Sequence, residues 1–289
     1  MYLLTKEDII LLTSHYSQLT RQEKWSMLVF LYPDMKDKAP KRALQANVAS
    51  EKRASFLRYL KNTPIMQLKD QYKRASIDYV CLGSADYPYM LEHSYDPPFI
   101  LFIKGNATLL KRISLGVVGA RECSAYGIHA LKKLLPPLLD SSLVITSGLA
   151  KGIDRAAHEL TINGGGETIA VIGTGLDVCY PRENRDLQSL ISQSHLLISE
   201  YPLKTAPSKH HFPMRNRIIA GLSKGVLVVE SRERSGSLIT ARMALEEGRD
   251  VFSIPGSILS DLSVGCNELL KLGAIPVTSG EDILVNWTE

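Results

Sequence analysis

The chain of 289 residues is long enough for one large domain or two ordinary ones, and its 45% hydrophobic and 22% charged residues are typical of a globular protein. No apolar stretch approaches the roughly 20 residues that a membrane-spanning helix needs, and acids appear early in the sequence in place of a long apolar signal core. The four cysteines, Cys81, Cys123, Cys179 and Cys266, form no C-x-x-C pair, which indicates reduced thiols, no metal site and a cytoplasmic location.

The first 75 residues differ from the rest in charge and in pattern. They hold 14 Lys or Arg against 7 Asp or Glu, whereas the whole chain has a net charge of +4. Apolar residues recur at helical spacing over 8–19, 21–31, 41–49 and 54–60, so we predict a small all-helical domain over residues 1–75. The basic excess suggests an auxiliary nucleic-acid surface, although a solvated helical face is the more common reason for scattered lysines.

The second domain, residues 76–289, begins with two predicted strands around a proline-rich loop between residues 77 and 105. From residue 113 strands and helices alternate, with strands predicted at 113–118, 143–146, 168–172, 195–199, 226–230, 251–254 and 274–278. Helices are predicted at 125–139, 153–162, 184–193, around 215–223, 237–247, 265–272 and 281–287. The strands are unbroken apolar runs, which are typical of a parallel sheet covered on both faces. We therefore predict an α/β fold with an extended Rossmann-like, doubly wound, mostly parallel sheet preceded by the helical domain.

Turns with glycine follow four of the predicted strands. They are Gly119-Ala120-Arg121, Ser147-Gly148, Gly173-Thr174-Gly175 and Ser235-Gly236-Ser237. In a doubly wound sheet such turns gather at the carboxyl edge, where glycine and helix N-termini let backbone N–H groups cradle phosphates. The sequence therefore predicts phosphate binding along one edge of the sheet.

The turns lack the features that recognise a nucleotide cofactor. The first one is not G-x-G-x-x-G, because the next glycine after Gly119 is Gly127. The second strand ends at Ser147-Gly148, where a dinucleotide site needs an acid for the ribose, and no Walker A sequence occurs in the chain. We expect no cofactor.

Cations and aromatic residues accompany the glycines and suit the backbone and bases of a single-stranded polyanion. The predicted DNA contacts are Gly119, Arg121, Ser147, Gly148, Lys151, Gly173, Thr174, Gly175, Arg182, Asn184, Arg185, Lys209, Phe212, Arg215, Arg217, Ser235 and Gly236. Tyr180 and Phe212 could stack on bases, although Phe212 also fits a partly buried position and Arg217 could tie down a loop. The His210-His211 pair has no third ligand at a suitable spacing for a metal.

No set of catalytic residues emerges from the sequence. Asp154 and His158 lie four residues apart on a predicted helix, but Asp154 fits better as an acid that accepts N–H groups at the helix start. Ser147 and Ser235 have no G-x-S-x-G setting, and Glu230 is expected to position the Ser235-Gly236-Ser237 turn. A binding protein is a better interpretation than an enzyme.

Several stretches closely resemble the bacterial DNA-processing protein A (DprA/Smf) family. They are 119–121, 147–158, 170–177, 212–223, 235–241 and Pro255-Gly256-Ser257. The resemblance implies single-stranded DNA binding without cleavage, protection of strands imported in natural transformation, and help in loading the recombinase RecA. It makes Arg121 and Arg182 principal contacts, although members often carry Lys at the second position. It also implies a sterile-alpha-motif-like helical domain, and we expect a short form without the C-terminal winged-helix domain of some relatives.

A homodimer is predicted from the apolar C-terminal part and from the same resemblance. The predicted interface comprises Ile258, Leu262, Leu269 and Leu270, although Leu269 and Leu272, at helical spacing, also fit the core. Two alternatives stay open. One is a nucleoside monophosphate phosphoribohydrolase, whose P-G-G-x-G-T motif is absent, and the other is an adaptor that makes protein contacts alone.

Overall fold

A nine-stranded sheet organises the protein, a computed structural model of which describes residues 4–287. The strands are β1 (Asp78–Cys81), β2 (Ile100–Gly105), β3 (Ser114–Val118), β4 (Val144–Ser147), β5 (Thr168–Ile172), β6 (Leu196–Ser199), β7 (Gly225–Val228), β8 (Asp250–Ser253) and β9 (Ile275–Pro276). Their spatial order is β1-β2-β6-β5-β4-β3-β7-β8-β9. All neighbours are parallel except β2, which runs antiparallel to both β1 and β6. The predicted mostly parallel α/β sheet is confirmed.

Helices alternate with the parallel strands, as predicted. They are α6 (Tyr89–Glu92), α7 (Ala125–Asp140), α8 (Ile153–Asn163), α9 (Arg185–Ser194), α10 (His211–Leu222), α11 (Gly236–Glu246), α12 (Val264–Lys271) and α13 (Glu281–Val285). Helix α10 starts four residues before its predicted start, because Pro213 lies in its first turn, where a missing N–H costs no helical hydrogen bond.

The two faces of the sheet have separate apolar cores. On β3, Leu115 and Val117 pack with α7 and α8, whereas Val118 belongs to the core that includes Ile218 of α10 and Ala241 of α11. This alternation follows from the two-residue period of a strand. Helices α8 and α10 therefore cover opposite faces of the sheet, and the amino-terminal ends of both lie at its carboxyl edge.

The first part of the chain is helical, as predicted. Its helices are α1 (Lys6–His15), α2 (Arg21–Leu31), α3 (Lys41–Leu44), α4 (Ser50–Asn62) and α5 (Ile65–Arg74), with a 3-10 turn at Pro33–Lys38. Capping boxes from Thr5 and Thr20 fix the starts of α1 and α2. The prediction omitted α5. It also started α1 two residues and α4 four residues after their observed first residues.

This helical layer covers the antiparallel edge of the sheet. Tyr72 stacks on Phe102 of β2 with ring centroids 5.0 Å apart, and Trp25 meets the ring of Phe99 edge-on at 5.7 Å. The aromatic contacts make the helices and this edge of the sheet one continuous core.

Two features are absent from the described residues, a helix that could span a membrane and a cluster of metal ligands. Among residues 4–287, no helix combines the length and apolar character needed to cross a bilayer. The same residues contain no grouping of three or more His, Cys, Asp or Glu side chains suited to a metal ion. All four cysteines are free thiols.

Candidate nucleic-acid interface

The turns after β3, β4 and β5 touch one another at the carboxyl edge of the sheet. The N–H of Ile153 donates to the carbonyl of Ala120 at 3.1 Å, which joins the second turn to the first. Asn184, just beyond the third turn, donates its side-chain amide to the carbonyl of Leu149 at 2.8 Å. The start of α10 joins them through His211, whose Nδ1 lies 3.1 Å from the carbonyl oxygen of Gly173. Three of the four predicted turns and the start of α10 therefore form one surface.

Four exposed cations lie along this surface. Within residues 4–287, the side chains of Arg121, Arg182, Arg185 and Lys209 make no hydrogen bond or ion pair. Lys151 differs, because its ammonium pairs with Glu183 at 2.8 Å and its charge is locally balanced. The four unpaired cations are available for phosphate groups.

Aromatic rings lie beside the cations. The guanidinium of Arg121 is 5.7 Å from the ring centroid of Phe212, and this ring lies 5.5 Å from that of Tyr180 at an interplanar angle of 31°. Tyr180 is 46% exposed and lies at the end of this row of three side chains. An exposed ring face beside cations suits an unpaired base.

A second aromatic pair lies nearby and was missed in the sequence. Tyr201 stacks on His211 with centroids 4.0 Å apart and an interplanar angle of 24°. Burial lowers the pKa of His211, while its contact with Gly173 acts in the opposite direction. A signal was present, because Tyr201-Pro202 follows β6 much as Tyr180-Pro181 follows the third turn.

Arg215, predicted as a DNA contact, lies beneath the surface. Its guanidinium donates to the carbonyl oxygens of Gly148 and Val171, the latter at 2.5 Å, and only 5% of the residue is exposed. Burial raises the pKa of Asp154, and the positive charge of Arg215 opposes that rise. In this arrangement Arg215 holds the ends of β4 and β5 together.

Arg217, also predicted as a DNA contact, belongs to a buried ion cluster. It pairs with Glu200 at the end of β6 and donates to the carbonyl of Asp96. Arg21 of α2 bonds the same two acids, at 3.2 Å to Glu200 and 2.7 Å to Asp96. The two arginines lower the pKa of Glu200 against the effect of its burial. This cluster fastens the helical layer to the sheet, in keeping with the alternative that Arg217 ties down a loop.

The other predicted contacts are buried or backbone groups. Ser147 donates to the carbonyl of Val117 at 2.6 Å, and Thr174 donates to that of Val178 at 2.9 Å. Asn184 is 1% exposed. These side chains shape the turns, so any phosphate contact at them uses the backbone.

The Ser235-Gly236 turn is held differently from the prediction. Glu230 accepts from the N–H and the hydroxyl of Ser124, at 2.8 and 2.5 Å, and therefore caps the start of α7. Ser231 holds the turn instead, with its hydroxyl 2.6 Å from that of Ser235. The predicted role of Glu230 is wrong, because its carboxylate faces the neighbouring strand's turn. Gly236 is exposed with no atom near its Cβ position.

Asp154 and His158 do not form an acid–base pair. Asp154 accepts from the N–H of Ala150 at 3.4 Å, whereas the ring of His158 faces Thr168 at 2.7 Å. Both side chains are buried, and burial lowers the pKa of His158 to about 3. The structural interpretation of Asp154 is confirmed, although its donor lies in the preceding loop.

The predicted dimer surface is partly exposed. Ile258 is 91% exposed and its neighbour Leu259 92%, whereas Leu262 and Leu270 are half-buried. Leu269 is 8% exposed and lies in the core, so it offers no surface for an interface. Leu272 is 81% exposed, and its predicted core position is wrong because it caps the end of α12.

The chain is similar to known DNA-processing proteins. A family model described as DNA recombination-mediator protein A matches residues 78–288. The DNA processing protein DprA of Streptococcus pneumoniae is 56% identical over 201 residues, which cover 70% of this chain and 71% of that protein. DprA of Bacillus subtilis is 46% identical over 219 residues, covering 75% and 74%. Protein Smf of Escherichia coli is 48% identical over 69% of this chain and 54% of its own length.

Two solved structures resemble the protein, one over nearly the whole chain and one over about three quarters of it. The X-ray structure of S. pneumoniae DprA matches 99% of this chain and 98% of its own, with a TM-score of 0.83 and 43% identity. A Helicobacter pylori DNA processing protein A structure, described as showing its single-stranded DNA binding mode, has a TM-score of 0.66 and 29% identity. It covers 73% of this chain and 95% of that one.

Proposed function

The chain belongs to the DNA recombination-mediator protein A family, and we propose that it binds single-stranded DNA along the carboxyl edge of its sheet without cleaving it. The observation that carries the proposal is the set of unpaired cations beside the neighbouring side chains of Arg121, Phe212 and Tyr180. The H. pylori relative's single-stranded DNA binding mode supports it.

Each part of the surface has a role in the proposed complex. Arg121, Arg182, Arg185 and Lys209 bind successive phosphates, and the backbone N–H groups of the glycine turns add neutral donors. Tyr180 offers its ring to a base, which works with any sequence because every base has a π-face. Arg215 and Arg217 keep the turns in place from below.

The first test compares single-stranded and duplex oligonucleotides at two salt concentrations. We expect preference for single strands, tolerance of sequence, and affinity that falls steeply with salt. Equal affinity for duplex and single strand would contradict the proposal.

The second test uses Arg121→Ala and Arg182→Ala, which remove exposed, unpaired side chains. Each change should weaken binding to all sequences by about 1–3 kcal/mol, as expected for a charge-assisted contact. Lys151→Ala is the matched control, since its ammonium is already paired with Glu183, and its effect should be smaller. A variant that binds as the wild type does loses its assigned role.

We further propose that the protein is not an enzyme. The separation of Asp154 from His158 supports this, because neither can exchange a proton with a substrate at the surface. Labelled DNA should remain intact, and nucleoside monophosphates should release no base. Metal-dependent nicking that disappears in Asp154→Asn would overturn this.

Protection of imported strands in natural transformation and loading of RecA complete the proposal, and both rest on family membership. The test is RecA ATPase activity on single-stranded DNA that is already covered by a single-strand-binding protein. We expect the wild type to shorten the lag and Arg121→Ala to do so less. No effect of the wild type on the lag would contradict RecA loading.

A further inference from the structure

The helical domain has a strongly basic surface away from the sheet. Residues 36–61 contain eight Lys or Arg but only two Asp or Glu. Lys38 pairs with Glu92 and Lys52 with Glu23. The other six are exposed and make no ion pair among residues 4–287; they are Lys36, Lys41, Arg42, Arg53, Arg58 and Lys61.

Contacts between helices place part of this charge on and near helix α2, which carries the exposed ring of Phe30. Arg53 of α4 lies over the ring of Phe30, 5.0 Å from its centroid, and Phe30 is 55% exposed. Ser26, one turn before Phe30 on α2, donates to the carbonyl of Ala46 at 3.1 Å and so fixes the segment that follows α3. The basic start of α3, at Lys41 and Arg42, and the start of α4 therefore both lie against α2.

The charge continues along α4. Arg53, Leu57 and Lys61 are spaced four residues apart and share one face of the helix. Leu57 is 40% exposed. We name the surface formed by Phe30, Arg42, Arg53, Leu57 and Lys61 the helical patch.

The helical patch is separate from the carboxyl-edge surface. Helix α4 packs on α1, where Tyr59 donates to the carbonyl of Leu12 at 3.3 Å and Tyr16 meets Phe56 at 5.2 Å. Helix α1 in turn contacts β2 through His15 and Phe102. Helix α1 therefore lies between the α4 part of the patch and the sheet.

We propose that the helical patch is a second, sequence-independent site for single-stranded DNA, and this rests on the function proposed above. Unpaired cations, one of which lies over a half-exposed aromatic ring, complement a phosphate backbone with unstacked bases. A two-fold contact with a second copy would place like charges against each other, which opposes association.

The test separates this site from the first one. Arg121→Ala with Arg182→Ala weakens the sheet edge, and Arg42→Glu with Arg53→Glu is then added to reverse charge in the patch. The control adds Lys132→Glu with Lys133→Glu, an identical charge change on exposed positions of α7. The probe is a fluorescent 60-residue oligothymidylate whose anisotropy is measured over a range of salt.

We expect the patch changes to lower the remaining affinity about tenfold and to reduce the slope of log affinity against log salt by about 1.4, the loss of two phosphate contacts. The control should change affinity about twofold or less. Phe30→Ala alone should weaken binding of the remaining site about fivefold or more if a base stacks there.

Three results would overturn the inference. Equal effects of the patch and control changes would show a general charge effect, and loss of all binding on weakening the sheet edge would leave no second site. Competition by polyglutamate as effective as by DNA would assign the patch to an acidic protein instead. If the wild type itself binds no oligothymidylate, the proposed function fails as well, so the two failures are distinguishable.

Discussion

Two pairs of arginines near the sheet edge differ in what surrounds their guanidinium groups. Arg121 and Arg182 are exposed and unpaired within the described chain, whereas Arg215 and Arg217 are 5% and 7% exposed and hydrogen-bonded. A guanidinium in the second situation is shielded from solvent and already bonded to protein oxygens, so a phosphate at the surface does not reach it. The same side chain therefore serves binding in one pair and architecture in the other.

Replacing Arg215 should lower stability. Arg215→Met leaves the carbonyls of Gly148 and Val171 without their donor and Asp154 without its positive neighbour. We expect the free energy of unfolding to fall by about 3–5 kcal/mol, as when one partner of a buried pair is removed. Urea unfolding measures it.

Arg121→Met is the matched control for that experiment. It removes an exposed guanidinium, so stability should change by about 0.5 kcal/mol or less while DNA affinity falls. Equal stability losses in the two variants would refute the architectural role of Arg215.

His158 should make stability depend on pH. Burial lowers its pKa from 6.5 to about 3 in the folded protein, with Arg215 and His195 acting in the same direction. Below about pH 6.5 the unfolded chain binds a proton at His158 that the folded protein does not bind, so acidification favours unfolding. The contribution of this histidine to the free energy of unfolding is therefore complete above pH 6.5. As the pH falls towards 3, this contribution to the free energy of unfolding decreases by up to about 1.4 kcal/mol per pH unit.

The measurement is the free energy of unfolding at pH 5 and pH 7 for the wild type and His158→Gln. The variant should show a smaller loss on acidification, whatever its stability at pH 7. His129→Gln changes an exposed histidine and serves as the control. If His158→Gln loses as much stability between pH 7 and pH 5 as the wild type does, then this ring does not resist protonation.

At the scale of elements, the first two turns depend on a glycine. Gly152 has φ +71°, and a Cβ there would lie 2.3 Å from the carbonyl oxygen of Ala120 and 2.5 Å from that of Arg121. The helix start at Ile153 can approach the Arg121 turn only without that atom. Backbone geometry at this residue therefore positions the principal proposed DNA contact.

We predict that Gly152→Ala lowers both stability, by about 2 kcal/mol or more, and DNA affinity, because the Arg121 turn must move. Gly236→Ala is the control for stability, since no atom lies near its Cβ position and the change should cost about 0.5 kcal/mol or less. Thermal unfolding and oligonucleotide binding measure the two effects. Normal affinity in a destabilised Gly152→Ala would show that the turn keeps its place.

The elements themselves were largely predictable. Apolar runs, four of them followed by glycine turns, identified the strands from β3 to β9, because such strands carry their signal locally. The pairing of β2 with β6 joins residues more than 90 positions apart, so no local pattern contains it. For the same reason the exposure of Arg121 and the burial of Arg215 could not be predicted without the packing.

At the scale of the whole molecule, the amino-terminal helices support the proposed DNA surface. The hydroxyl of Tyr72 accepts from the N–H of Leu203 at 3.2 Å, and the next N–H, of Lys204, bonds to Asp177 beyond the third turn at 2.8 Å. The loop after β6 is thus held between α5 and the sheet edge. The helical layer contributes to the shape of the proposed interface even where it does not touch DNA.

The predicted homodimer is tested most directly by a substitution at Ile258. Ile258 is 91% exposed beside the equally exposed Leu259, and exposed apolar groups of this kind gain most from burial against a copy. Because a two-fold interface contains each residue twice, Ile258→Glu should weaken dimerisation about a hundredfold or more. Sedimentation at micromolar concentration measures the dissociation constant.

The control and the functional consequence follow from the same geometry. Ile113→Glu alters a 55% exposed isoleucine before β3, at the opposite edge of the sheet, and should leave the dimer intact. The monomeric Ile258→Glu protein should bind a short oligonucleotide normally but a long one more weakly, because a dimer offers two linked sites to one strand. A monomeric wild type, or an Ile258→Glu protein that stays dimeric, would move the interface elsewhere. Equal weakening on short and long strands would instead place Ile258 in the DNA site itself.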